Sequence, residues 1–198
     1  ITLNTRSVIM SRGLGYVYKR QPVPGADVRA AVAFTGRARD VVLGMKYQNR
    51  RQVARHLAGL VVNAVVADDA HRDVDVVTWA PTSGRRRRSR GYDQAELIAR
   101  VVARQLGVPC RRLLERESAA PTQTGRTRSQ RLEGPSFAES PSATGRRVLV
   151  VDDVATTGTT LARAAQALRA ADAEAVVTYA VAATPSGLTS TGTRRLAA

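Results

Sequence analysis

One segment limits the fold more than any other: Val148-Leu149-Val150-Val151-Asp152-Asp153-Val154-Ala155-Thr156-Thr157-Gly158-Thr159-Thr160-Leu161. Four consecutive apolar residues, three of them β-branched, suit a strand buried on both faces. A sheet with two buried faces needs helices on each. The residues that follow comply. Residues 159–171 repeat apolar positions at helical spacing through Leu161, Ala164, Ala165 and Leu168, and residues 174–183 return to a strand. Strand, helix and strand in this order predict an α/β fold, a mostly parallel twisted sheet flanked by helices. In such sheets ligands sit at the carboxyl ends of the strands.

The same logic extends upstream. Residues 38–47 and 51–67 read as helices, the second with a stripe of Val53, Leu57, Leu60, Val61 and Ala64. Residues 74–79 read as a buried strand, closed by the turn signal Pro81-Thr82-Ser83-Gly84. Residues 93–106 give a third helix, with Asp93 and Glu96 at capping-box spacing. Residues 113–145 are rich in Ser, Thr, Pro and Gly and predict a long mobile connection of the kind that forms lids, with a short strand at each end. Residues 1–24 lack a sustained period and read as a disordered or foreign lead. Residues 25–184 read as the folded domain and residues 185–198 as a disordered tail.

The loop after the buried strand carries the first chemical signal. A helix start presents unpaired N–H groups and a partial positive charge. Thr156, Thr157, Thr159 and Thr160 add hydroxyls, and Gly158 lets backbone approach a ligand closely. Together they form a nest for a phosphate monoester. No Gly-Lys-Ser/Thr follows, so it is not a Walker loop. Asp152 and Asp153 would repel a phosphate, but they suit sugar hydroxyls or Mg²⁺. A ligand with a phosphate at one end and a vicinal diol beside it satisfies both halves, and ribose 5-phosphate has that form. The turn Thr82-Ser83-Gly84, with Arg85, is a second candidate anion cradle at the same sheet edge.

Charge enters here. The chain of 198 residues carries a net +15, and all but two of its 31 basic residues are arginine. With abundant Ala and Val, part of that excess reads as compositional drift on a solvated surface. Between Arg85 and Arg131, however, 13 Arg stand against 4 acidic residues, a local balance of +9 lying between the two anion cradles. Arginine grips phosphate in bidentate fashion.

Other classes recede. Cys110 is the one cysteine, which excludes an internal disulfide framework and a Cys-rich zinc site. Its neighbours Arg111 and Arg112 could lower its pKa, but no His partner lies nearby, and a core or surface thiol fits better. His56 and His71 have no second ligand at metal spacing. Trp79 reads as core, and eight aromatic residues are few for a single-strand stacking platform. No apolar run reaches the roughly 18–20 residues of a membrane span, and no signal peptide opens the chain. These features predict a cytoplasmic location.

The strand, acidic pair and Thr-Thr-Gly-Thr-Thr loop resemble the PRPP-binding signature of type I phosphoribosyltransferases. Adding Pro81-x-Ser83, the Arg run and Arg90-Gly91-Tyr92-Asp93-Gln94-Ala95-x-Leu97 narrows the resemblance to the ComF, or GntX-like, competence family. Arg39, Leu43, Lys46 and Tyr47 fit its early pattern, and Gln123, Arg131 and Phe137 its later one. The match runs from about Gly36 to Ala183. It departs at Asp93 and Gly134, where the family has Asn, and it lacks the Cys-rich zinc ribbon common at the family's N-terminus. The resemblance implies a type I phosphoribosyltransferase-like fold that binds PRPP or a related ribose 5-phosphate with Mg²⁺. Asp152 and Asp153 would be the catalytic pair on the ribose hydroxyls and would meet Mg²⁺ through the ligand. Residues 155–160 would hold the 5-phosphate, and Thr82, Ser83, Gly84 and Arg85 the pyrophosphate. Arg90, Gln123 and Arg131 would be lid or anion contacts. If catalytic, the chemistry would displace pyrophosphate at ribose C1. The alternative it implies is a DNA-uptake accessory protein that binds single-stranded DNA on its Arg-rich surface.

Overall fold

The computed structural model describes residues 19–23, 26–47, 53–70, 72–84, 88–89, 91–117, 135–139 and 141–184. Its elements in chain order are β1 (Lys19–Val23), β2 (Ala26–Ala33), α1 (Gly36–Tyr47), α2 (Val53–Ala67), β3 (Val76–Trp79), α3 (Gln94–Leu106), β4 (Leu114–Arg116), β5 (Phe137–Glu139), β6 (Arg147–Ala155), α4 (Thr159–Ala170) and β7 (Ala175–Ala183). The main sheet runs β1-β2-β7-β6-β3. The pairs β2–β7, β7–β6 and β6–β3 are parallel, and β1 is antiparallel to β2. A separate pair, β4 and β5, is antiparallel.

Strand β6 shows why the apolar run needed two covered faces. Val148 and Val150 pack with Leu161, Ala164, Ala165 and Leu168 of α4, together with Leu113, Leu114 and Phe137 of the small hairpin region. Leu149 and Val151 pack on the opposite face with Leu57 and Val61 of α2 and Ile98 and Val102 of α3. Period-2 alternation in one strand therefore serves two cores. All four residues are at most 1% exposed. Thr78, buried in β3, accepts a hydrogen bond at its Oγ1 from the Leu113 backbone N–H at 3.2 Å, which ties the hairpin segment to the sheet.

This layering positions the site. The helix after β3 packs on one face, and the helix after β6 packs on the other. The two strands are neighbours. Chains that leave adjacent strand ends in opposite directions open a crevice between them, the topological switch point of an α/β sheet.

The sequence places two segments differently. Residues 19–23, assigned to the unstructured lead, form β1 and pair with β2, from Lys19↔Ala30 to Val23↔Ala26. Backbone pairing requires no hydrophobic period, so periodicity did not disclose it. Strand β6 also runs four residues beyond Val151, because β7 continues to pair through Ala155↔Ala183. Asp152 and Asp153 thus lie within the strand and not in the loop after it. The 113–145 connection does bear a short strand at each end; its centre, residues 118–134, and the tail from residue 185 lie outside the described residues.

Candidate functional site

A cavity of about 470 Å³ occupies the crevice at the carboxyl ends of β2, β3 and β6. Asp152, Asp153, Thr156 and Thr160 line one side, and Pro81 and Thr82 the other. The volume lies within the range of small-molecule sites, roughly 300–1,000 Å³. The threonine loop and Thr82, the first residue of the second cradle read from the sequence, therefore face one space.

The 155–160 loop takes its shape from one backbone position. Gly158 sits at φ +75° and ψ −5°, in the left-handed region where residues with a Cβ are strained, and precedes the first turn of α4. Its carbonyl accepts from the Ala162 N–H at 3.0 Å, which starts the helix. Gly158 has no side chain to cap that terminus; the Thr159 N–H donates to the Thr157 hydroxyl at a long 3.4 Å, and the start of α4 keeps the positive end that attracts an anion. The Thr157 and Thr159 hydroxyls lie 2.9 Å apart and bond to each other. Thr184 fixes the loop's entry: its N–H donates to the Ala155 carbonyl at 3.0 Å and its hydroxyl to the Thr156 carbonyl at 2.8 Å. The acidic pair is locally ordered too, with the Asp153 N–H donating to Asp152 Oδ1 at 2.8 Å.

Across the cavity, Asp93 organises the turn after β3. Its side chain is almost fully buried, at 5% exposure. Oδ2 accepts from the Thr82 N–H at 2.8 Å, and Oδ1 from the Ala95 N–H at 3.1 Å as the N-cap of α3. The predicted reciprocal arm differs: Glu96 Oε1 binds Arg100 Nη2 at 2.8 Å, one turn along the helix. Burial pushes the Asp93 carboxyl above its ordinary value of 3.8, against the lowering effect of its backbone donors. A carboxyl raised by folding is easier to keep protonated in the folded state. Stability linked to it is complete at acid pH and falls as pH climbs from 3.8 through the raised value. Asp93→Asn has no such titration. Its stability relative to wild type is expected to improve between pH 3 and pH 7, as chemical denaturation at several pH values would measure. A difference independent of pH would contradict this assignment.

The structure sorts the predicted residues. Asp152, Asp153, Thr156, Thr160 and Thr82 line the cavity. Ala155, Thr157, Gly158 and Thr159 build the loop behind them. Ser83 is half-buried in the turn, and Gly84 lines a neighbouring cavity of about 410 Å³. Arg85, Arg90, Gln123 and Arg131 lie outside the described residues. Phe34, Gln94 and Arg116 line the larger cavity without having been singled out as ligand contacts. Gln94 stood in the quoted Asp-Gln-Ala pattern. Phe34 and Arg116 offered no signal but their place at strand ends. Burial pushes the Cys110 thiol up, only partly offset by Arg100, which removes the case for a thiolate nucleophile.

Among the described residues, no group of three or more His, Cys, Asp or Glu could cage a metal. Two carboxylates facing a cavity nevertheless fit Mg²⁺, a hard ion that keeps several waters and is completed by the oxygens of a phosphorylated ligand. The donor set thus suits a ligand-borne ion. No helix among the described residues is long and apolar enough to cross a membrane.

Comparison with known proteins adds a second line. Residues 93–190 match the family model described as phosphoribosyl transferase domain. The DNA utilization protein YhgH of Salmonella typhi is 29% identical over 158 residues, covering 75% of this chain and 68% of that protein. Competence protein F of Haemophilus influenzae is 31% identical over 148 residues, covering 69% of this chain and 64% of its own length. Among solved structures, the glutamine PRPP amidotransferase from B. subtilis, complexed with ADP and GMP, has 24% identity and a TM-score of 0.45. That likeness covers 65% of this chain, which spans about a quarter (26%) of the amidotransferase. The hypoxanthine phosphoribosyltransferase from Trypanosoma cruzi, in complex with the product IMP, has 17% identity and a TM-score of 0.42 over 69% of this chain and 79% of its own. These structural likenesses are too loose to carry a functional argument.

Proposed function

Because this chain belongs to the ComF-like proteins of phosphoribosyltransferase fold, we propose that its crevice binds PRPP, or a closely related ribose 5-phosphate, together with Mg²⁺. One observation carries the reading: the acidic pair of β6 and the threonine loop after it line the same cavity as the turn after β3. That grouping of hydroxyls, carboxylates and a second turn suits a ligand with a monoester phosphate, a vicinal diol and a second anionic group.

The residues divide the work. The start of α4 and the Thr156–Thr160 hydroxyls hold the 5-phosphate. Asp152 and Asp153 accept hydrogen bonds from the ribose hydroxyls and orient C1 toward the turn at Thr82. Mg²⁺, when bound with the ligand, neutralises the pyrophosphate. The reaction this supports is displacement of pyrophosphate at C1, with cation-like character on the sugar at the transition state. Carboxylates held near that ring favour developing positive charge. A pyrophosphate-release screen with PRPP against nucleobases, ammonia and orotate-like acids tests the catalytic step. Release with any acceptor supports transfer. PRPP binding without release from any of them would contradict the transfer step and leave a ligand-binding role.

A second reading draws on the relatives whose names refer to DNA utilization and competence. Arginines on the surface would bind single-stranded DNA. Such binding is expected to weaken with salt at a log–log slope of about −0.7 per phosphate neutralised. Absence of binding at low salt in a fluorescence-anisotropy titration would remove it.

A further inference from the structure

Asp93 lines the crevice and the neighbouring cavity of about 410 Å³ alike. Its carboxylate bridges two elements. Oδ2 accepts from the Thr82 N–H of the turn after β3 at 2.8 Å, and Oδ1 from the Ala95 N–H at the start of α3 at 3.1 Å. At 5% exposure, little water screens its charge. The helix start needs one acceptor, and an uncharged Asn or Ser cap would supply it. What a carboxylate adds at this position is the second oxygen, on the turn, and a negative charge between the two cavities.

On the reading proposed above, the group carried by C1 arrives at the Thr82 turn. A backbone N–H at a cavity wall is a donor for an incoming anion, but this one already serves an internal anion. The charged side chains around Asp93 among the described residues leave the crevice acidic. Asp152 and Asp153 come from β6 and Arg116 from β4. In the smaller cavity Glu96 and Arg100 of α3 pair at 2.8 Å, Arg112 pairs with Glu115 at 3.0 Å, and burial pushes the Cys110 thiol up. Burial likewise makes the charged form of Asp93 costly. We infer that Asp93 is an autoinhibitory contact of this site: its carboxylate occupies the Thr82 N–H in place of the anion on C1, so that a ligand bearing that anion binds more tightly when Asp93 is protonated. This rests on the phosphosugar reading and adds a control to it. By linkage, binding of such a ligand takes up a proton at Asp93, and affinity rises as pH falls through the carboxyl's raised value. A ribose 5-phosphate with a C1 hydroxyl brings no anion to the turn and is nearly indifferent to Asp93.

The test is calorimetric titration of wild type and Asp93→Asn with PRPP and with ribose 5-phosphate, at millimolar Mg²⁺ and several pH values. Asn keeps one accepting oxygen for the helix start and carries no charge. At about pH 8 the variant is expected to bind PRPP about tenfold more tightly than wild type, the same factor by which the bound anion raises the proton affinity of Asp93. Ribose 5-phosphate should stay within about twofold. The advantage with PRPP should shrink toward about pH 4.5, as wild type takes up the proton. The ligand's own phosphates titrate alike against both proteins, so the ratio of affinities isolates Asp93. Asp93→Ser, another uncharged cap, decides the question if the Asn variant fails to fold. PRPP affinity that is unchanged or weaker without the carboxylate would overturn the inference, as would an advantage equal for both ligands or constant with pH. Wild type that binds neither ligand would instead overturn the phosphosugar reading itself.

Discussion

Asp152→Asn/Asp153→Asn is expected to bind PRPP about 100-fold more weakly than wild type, since each lost charged acceptor costs about 1.5–3 kcal/mol and the amides keep part of it. Both side chains stand near the carboxyl end of β6, half-exposed, where the strand leaves the two cores. The backbone on either side is held independently of them, by pairing of β6 with β7 through Ala155 and by Thr184 on the loop. The substitution should therefore leave the fold intact. Far-UV circular dichroism and urea unfolding check this, and calorimetry reads the affinity. Binding as tight as that of wild type would place the sugar elsewhere.

The second large effect concerns Gly158→Val. At φ +75° a β-branched residue is strained by about 1–3 kcal/mol. Relief of that strain would turn the N–H groups at the start of α4 away from the cavity. Both PRPP and ribose 5-phosphate carry the 5-phosphate, so both should weaken, by at least about tenfold, if a charge-assisted contact is lost. Urea unfolding measures the strain, and calorimetric titration with PRPP and with ribose 5-phosphate measures the loss of phosphate binding. Unchanged affinity in a folded Gly158→Val protein would show that the loop does not hold phosphate.

The parts of this molecule legible in the sequence are those where one residue type has one physical use. The Val148–Val151 run could be satisfied only by two covered faces, and both cores are present. Gly158 and the threonines around it announced a close backbone approach, and the left-handed glycine is there. Long-range pairing was less legible. Strand β1 is held by backbone bonds to β2, and β6 extends past Val151 because β7 runs alongside it, so neither boundary is written in the local sequence. The site's far wall was legible only in part. Asp93 declared itself as a helix cap, but its second bond, to Thr82 eleven residues earlier, depends on how β3 and α3 meet. Arg116, which lines the cavity, stood in an arginine-rich stretch where nothing local sets it apart from its neighbours. A charge run gives the sign of a surface; the fold decides which of its members faces a ligand.

The central claim is that one crevice holds both the sugar and its phosphates. Isothermal titration of the wild-type chain with PRPP at millimolar Mg²⁺ tests it most directly. The account predicts saturable binding at one site per chain, displaced by excess ribose 5-phosphate and lost at the same concentrations in Asp152→Asn/Asp153→Asn. No saturable heat with wild type, or an undiminished isotherm with the double variant, would contradict it.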